Sequence, residues 1–420
     1  MASPSLARRL GLGDAVFIGL GAMLGAGVFS AFAPAAQAAG VGLLLGLVLA
    51  GIVAYANATS SAQLAAVYPT SGGTYVYGRA ELGPWWGFLA GWGFVVGKTA
   101  SCAAMALTFA AYAAPDGWER PLAIAAVVSL GAVNWFGITR TAQLTRIIVT
   151  VVLLCLAVAV IAAGAGAAGA SAALSVTAAD LFVGGPYGIL QSAGLLFFAF
   201  AGYARIATMG EEVRDPARVI PRAITLAFLI VVVVYAVVAV AILAALGPEA
   251  TAASSDPVAA AAATAGWAWV DPVVRIGAAA AALGALLALI AGVGRTTLAM
   301  ARERDLPAFL SAVHPRWRVP HRAEVLIVVA VTLLVAFTDL RSAIGFSSFG
   351  VLTYYLVANL AAHRQTGSAR RYPRWLPLLG AAGCVVLALT LPWQSVIGGA
   401  AVLAIGLGYR FARLRRNRRR

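Results

Sequence analysis

The chain has 420 residues, is 62% hydrophobic and only 11% charged, and carries a formal net charge of +15. That composition excludes a soluble globular domain and points to a polytopic membrane protein. The positive charge does not indicate nucleic acid, because the basic residues are confined to alternate loops and the C-terminal tail.

Twelve apolar spans are predicted, at roughly 12–38, 41–66, 85–114, 120–138, 146–165, 187–209, 222–246, 270–298, 323–338, 342–362, 375–391 and 393–412. Arg8 and Arg9 lead straight into the first span without a cleavage site, so no signal peptide is expected. With the N-terminus inside, the inner loops hold Arg79, Arg140, Arg146, Arg214, Arg218, Arg222, Arg302 to Arg322 and Arg364 to Arg374. The outer loops hold mainly Asp116, Glu119, Asp180, Glu249, Asp256, Asp271 and Asp339. This asymmetry and the even span count place both termini in the cytoplasm of a cell with the chain in its cytoplasmic (inner) membrane. Trp85, Trp86, Trp118, Trp135, Trp267, Trp375 and Trp393 fall near the expected interfaces. Cys102, Cys155 and Cys384 read as small buried hydrophobes. The outer stretches 163–186 and 247–269 read as spacers. The tail 413–420 reads as a solvated, disordered basic end.

The first span is a poor helix. Gly21, Gly25 and Gly27 each cost about 0.5–1 kcal/mol relative to Ala. Opened backbone is tolerated in a bilayer only where it faces protein or a polar cavity. The sixth span is weakened in the same way at Phe198-Ala-Phe-Ala-Gly202. Paired interrupted helices in matching halves of a membrane chain mark a transporter's binding site. An opening at Gly25-Ala26-Gly27 frees amides for a carboxylate, and carbonyls near Ala22 and Met23 for an ammonium. Phe198 and Ala199 add an aromatic wall and further carbonyls. Gly19 and Gly21 are better explained by close helix packing.

Five blocks, in order, carry a family resemblance: Gly21–Phe29, Tyr68-Pro-Thr-Ser-Gly-Gly-Thr-Tyr75, Phe198–Gly202, Gly210-Glu-Glu-Val-Arg-Asp-Pro-Ala-Arg-Val-Ile-Pro-Arg222, and Arg295–Pro307. The chain resembles the amino acid–polyamine–organocation superfamily of permeases. The resemblance implies an all-α fold with a five-plus-five inverted-repeat core, residues 12–165 and 187–362, with broken helices one and six. Two further helices, at 375–412, would follow. It also implies alternating-access transport of an amino acid. By position, Ala26 and Gly27 resemble carboxylate-binding amides and Met23 the carbonyl that receives the amine. Phe198 resembles an aromatic gate, with Ala201 beside the bound amine; Gly202 closes the second break.

Lys98 is the only lysine. It lies about 20 Å into the third span, counted from Trp85. A cation at that depth is a functional-site candidate by default. Lys98 reads as a proton carrier or as a fixed positive charge replacing a coupling cation; a lysine lining a wet crevice is the plainer alternative. The eighth span's core, Gly277–Val293, lacks hydroxyls. Sodium-coupled relatives of this fold use hydroxyls there, so proton coupling or exchange is favoured. Many relatives carry acids where this chain has Ala204 and Gly97, which favours neutral amino acids over cationic ones. Arg205 is a possible selectivity residue for an acidic one. No nucleophile, phosphate cradle or metal-ligand cluster is recognised, so neither an enzyme nor a cofactor is expected. The rival readings are a polyamine or organic-cation exchanger, and a channel or sensor.

Overall fold

Two helices of this membrane protein stop partway through and restart, and the rest of the fold packs around those two interruptions. The computed structural model describes residues 9–69, 72–136, 142–169 and 177–418. Thr70 and Ser71 of the inner-loop block, Arg8, Arg140 and the last two arginines lie outside the described residues.

The first span is α1 (Leu12–Met23), a gap, then α2 (Gly27–Ser30) and α3 (Phe32–Ala39). It is followed by α4 (Leu43–Val67), the short amphipathic α5 (Gly73–Glu81), α6 (Pro84–Ala113), α7 (Glu119–Trp135) and α8 (Ala142–Gly169). The sixth span is α9 (Gly185–Phe200), a single 3-10 turn at Ala201–Tyr203, and α10 (Ala204–Ala207). Then come α11 (Pro216–Ala253), α12 (Pro257–Ala263), α13 (Val270–Arg302), α14 (His321–Phe337), α15 (Leu340–Arg364), α16 (Trp375–Thr390) and α17 (Trp393–Arg418).

Nine helical stretches among the described residues have the 18-residue length and apolarity needed to cross a bilayer. The helices α7, α14 and α16 are slightly shorter, at 17, 17 and 16 residues. At 1.5 Å per residue they reach about 25 Å, close to the hydrocarbon thickness. Together these account for every span expected from the sequence. Their outward faces are apolar: Leu154, Ile161, Val233, Leu333 and Ile405 are all exposed, as lipid contact requires. Trp85, Trp118, Trp269, Trp375 and Trp393 are exposed at helix ends, the arrangement of an interfacial aromatic belt.

Hydrogen bonds sort the loops into two faces. On the basic face, Arg9 and Leu10 amides bond to the Glu212 carbonyl at 3.0 Å, and Arg413 reaches the Leu306 carbonyl at 2.6 Å. On the opposite face, Gln37 bonds to the Ala252 carbonyl and Arg341 bridges Gln37 and Gln191.

Two sequence readings need correction. The stretch 247–269 is not a spacer. Gly247, at φ 73°, turns the chain out of the membrane helix, and α12 then buries Val258, Ala259, Ala261 and Ala262 against its neighbours. Alanines let that helix lie close to the bundle, so small residues here mean packing rather than looseness. The tail is not free either: α17 runs on to Arg418, and Arg413 is held by Leu306 and by Tyr409 at 2.9 Å.

Candidate functional site

The helix α1 ends because Gly25 and Gly27 remove the side chains that would keep the backbone turning, and because close neighbours occupy the space. A methyl group on Gly27 would sit 2.6 Å from Ala199 Cα, and one on Gly202 only 2.3 Å from the Ala22 carbonyl oxygen. Gly27 thus meets Ala199, while Ala22 and Met23 meet Gly202. The two breaks cross antiparallel, backbone against backbone. Gly19 and Gly21 pack against Ile206 and against Thr145 and Val149, as helix-packing glycines do.

The Leu24 amide still bonds to Leu20 at 2.6 Å. The amides of Gly25, Ala26, Gly27 and Val28 have no hydrogen-bond partner among the described residues. All four residues are buried. Four unpaired buried donors are costly, since each forfeits its bond to water. A carboxylate is the group that satisfies several at once. The Ala26 carbonyl is already taken, by the Phe29 and Ser30 amides and by Ser30 Oγ at 2.8 Å.

The carbonyls are held differently from what the sequence implied. The Met23 carbonyl, expected to be free, accepts from the Tyr235 hydroxyl at 2.5 Å. The same hydroxyl lies 2.9 Å from the Ala199 carbonyl. A phenol has one proton, so it satisfies one of these acceptors at a time. The Ala201 carbonyl accepts from Lys98 Nζ and from the Tyr355 hydroxyl, both at 3.2 Å. Phe198 and Ala199 are buried at the end of α9. Sequence reasoning missed Tyr235 and Tyr355. The available signal was a single phenol inside the valine-rich run 231–240, and a tyrosine pair in the middle of the tenth span.

Lys98 is 7% exposed and makes no ion pair among the described residues. Its ammonium ends on the second break, which joins the lone lysine to the paired-break site. Arg205 stands three residues beyond Gly202, half-buried, with only a long 3.5 Å contact to Thr208 Oγ1 and no ion pair among the described residues. The loop 210–222 is tied to its neighbours mostly through backbone: Arg214 N donates to Leu10 O at 2.9 Å, and Arg371 reaches the Ala217 carbonyl at 2.7 Å.

Toward the opposite face the site is closed. The Tyr112 hydroxyl donates to the Phe29 carbonyl at 2.8 Å and accepts from the Val258 amide at 3.3 Å. One side chain of α6 therefore fastens α12 over the restart of the first span. Arg275 holds Asp256 and Asp271 at 2.9 Å beside it. Two apolar grooves, of about 470 and 750 Å³, lie among lipid-facing side chains and include no residue of the α1 break. His314 and His321 pack edge-on against Trp135, with ring centroids at 5.7 and 5.5 Å.

Comparison with known proteins agrees with this architecture. The amino acid permease family model matches residues 14–416. An uncharacterized transporter of Mycobacterium tuberculosis is 59% identical, with 96% of this chain and 90% of that protein aligned. The branched-chain amino acid permease BcaP of Bacillus subtilis is 26% identical over 96% of this chain and 92% of its own length. A chloroplastic cationic amino acid transporter of Arabidopsis thaliana is also 26% identical, over 94% and 74%. The names point to transport rather than catalysis. The chain belongs to the amino acid permease family, within the amino acid–polyamine–organocation superfamily, and is a multi-pass membrane transporter.

Proposed function

We propose that this protein carries neutral amino acids across the cytoplasmic membrane by alternating access, with both termini in the cytoplasm and the basic face inward. The observation that carries this reading is the antiparallel crossing of the two breaks. It sets four unpaired amides, Gly25 to Val28, near a cluster of break carbonyls at Met23, Ala199 and Ala201. A zwitterion matches that arrangement: its carboxylate takes the amides, and its ammonium takes carbonyls now held by side-chain donors. Residues 12–165 and 187–362 would be the two inverted units, with 375–412 as the added pair and 413–420 as a basic cytoplasmic end.

Neutral side chains are favoured because, among the described residues, no carboxylate pairs with a group at the breaks to receive a cationic one. Ala204 and Gly97 are uncharged at positions where the family resemblance implies acids. The branched-chain substrate in the name of one relative supports this preference, and the cationic substrate in the name of another counts against it. Coupling would run through Lys98, by proton movement or by exchange, since the eighth span offers no hydroxyl between Gly277 and Val293.

The test begins with thermal shift of the purified chain against the amino acids, because a ligand of the folded state raises its apparent stability. A neutral amino acid is expected to shift the melting temperature and to accumulate in proteoliposomes. Stronger competition by lysine or arginine than by alanine or leucine refutes the neutral preference. Uptake that needs a sodium gradient refutes the coupling.

A further inference from the structure

The Ala201 carbonyl sits where α9 gives way to the 3-10 turn at Ala201–Tyr203, at the negative end of that helix's dipole. A carbonyl oxygen has two lone pairs. Here both are taken, one by the Lys98 ammonium and one by the Tyr355 hydroxyl, each at 3.2 Å. A substrate ammonium arriving at this carbonyl must displace a donor, and it would meet a like charge in a low-dielectric interior.

The surroundings give the Lys98 charge nothing else to hold it. Cys102 follows one turn later on α6. The α15 helix brings Tyr355 to the same carbonyl, and the Tyr355 ring packs on Tyr203 of the break, centroids 4.9 Å apart. The buried side of α13 is apolar from Gly277 to Val293. Charges on α5, α14 and α17 (Arg79, Glu81, Glu324, Arg410) belong to the basic-face end of α6, and Glu119 and Arg120 of α7 to its other end. No carboxylate pairs with the ammonium among the described residues.

We infer that the Lys98 ammonium and a substrate ammonium use the Ala201 carbonyl in turn, so that each substrate amine admitted releases one proton from Lys98, and transport is amino acid–proton antiport. This inference rests on the zwitterion site proposed above. The balance is simple. On the side where the site is open, the zwitterion binds and Lys98 gives its proton to water. The loaded carrier, with a neutral Lys98 amine, turns and releases the zwitterion. Lys98 then takes a proton from that second side, and the protonated, empty carrier returns. One zwitterion moves one way and one proton the other. In a membrane with excess protons outside, this coupling drives amino acid outward, and inward movement is by exchange.

The experiment is ligand binding by the purified full-length chain between pH 6 and 8, with L-leucine and L-alanine as probes. Release of one proton per ligand makes Kd fall about tenfold per pH unit while Lys98 is protonated. Weakly buffered solution should acidify as ligand is added. In Lys98→Met the slope should vanish and affinity stay at its high-pH level. Lys98→Arg keeps a permanent cation in place and should lose binding at every pH. If Lys98→Met does not fold, the wild-type slope and Lys98→Arg still decide. A wild-type Kd that is flat in pH, or that rises with pH, overturns antiport while leaving the transport reading intact. Failure of every amino acid to bind overturns the zwitterion site, and antiport with it.

Discussion

Two buried clusters of charge in this protein are built on opposite rules. At the basic face, Asp305 is 5% exposed and fully engaged. It accepts from Arg79 at 2.9 Å and from the Tyr75 hydroxyl at 2.8 Å, and it pairs with the buried Arg410 of α17. Arg79 also reaches Glu303 at 3.2 Å, and the Arg410 guanidinium lies over Trp85 and Phe88. Burial, followed by the Asp305 carboxylate, pushes the Tyr75 phenol well above the usual tyrosine range, so it stays a donor. In the middle of α6, Lys98 has no counter-charge among the described residues, only one carbonyl at a helix break. A charge locked in a pair with satisfied partners fixes structure. A charge resting on one neutral acceptor is free to be displaced. The first cluster stitches α5, the 303–310 loop and the last helix together; the second rests on the break of the sixth span.

That contrast is broken most sharply by removing one charge from each. Asp305→Ala strands the buried Arg410 guanidinium, leaves Arg79 with Glu303 alone, and should cost about 3–5 kcal/mol. Lys98→Met removes a charge that has no partner and should leave stability unchanged or raised. Melting temperatures of the two variants in the same detergent test this. A tolerated Asp305→Ala, or a Lys98→Met that unfolds the chain, erases the distinction.

The next effect is steric. In Gly202→Ala the new methyl has no flexible neighbour to push aside, because the Ala22 carbonyl oxygen and the Met23 amide stand at 2.3 and 2.6 Å. Overpacking of this kind costs about 1–3 kcal/mol. Because it separates the two breaks, substrate binding should fall more than stability. Gly51→Ala, with nothing within 4 Å, is the control. Equal loss of binding in both would remove the crossing of the breaks from the mechanism.

The glycines that make this crossing were legible in the sequence, and so were every span, the basic loops and the isolated Lys98. Glycine strings and apolar runs are local signals, readable from period and composition. What was not legible is what fills the break. Tyr235 comes from α11 and Tyr355 from α15, far along the chain, and a tyrosine in an apolar span looks the same whether it packs or donates. The Pro257–Ala263 helix was misread because an alanine run in a loop has no period to betray burial. The end of α17 was misread because an arginine run looks solvated, whereas Arg410 and Arg413 grip the 305–306 turn.

A smaller effect belongs to Tyr235. Tyr235→Phe keeps the ring's packing against Phe200, centroids 5.0 Å apart, and removes only the hydroxyl shared by Met23 and Ala199. Leaving buried carbonyls unsatisfied should cost about 1–3 kcal/mol in the empty protein. A bound ammonium would satisfy them instead, so the loss should shrink when ligand is present. Melting curves with and without L-leucine decide this. A loss that ligand does not reduce would mean that the hydroxyl serves packing alone.

The smallest effect is at the opposite face, where Asp256 faces Arg275 beside α12. Desolvation raises the Asp256 carboxyl above the usual range, and Arg275 only partly opposes it. A carboxyl raised in the folded state favours the protonated form there. Its contribution to stability is therefore present below the unfolded value near 3.9 and is lost as pH rises through the folded one. Asp256→Asn mimics the protonated carboxyl, and Arg275 retains Asp271 at 2.9 Å. The variant should match the wild type at acidic pH and equal or slightly exceed it at neutral pH, by less than about 1 kcal/mol. A variant that is clearly less stable at pH 7 would show that the Asp256–Arg275 pair, rather than the burial of α12, holds this face shut. The outer closure would then follow the same rule of paired charge as the Asp305 cluster.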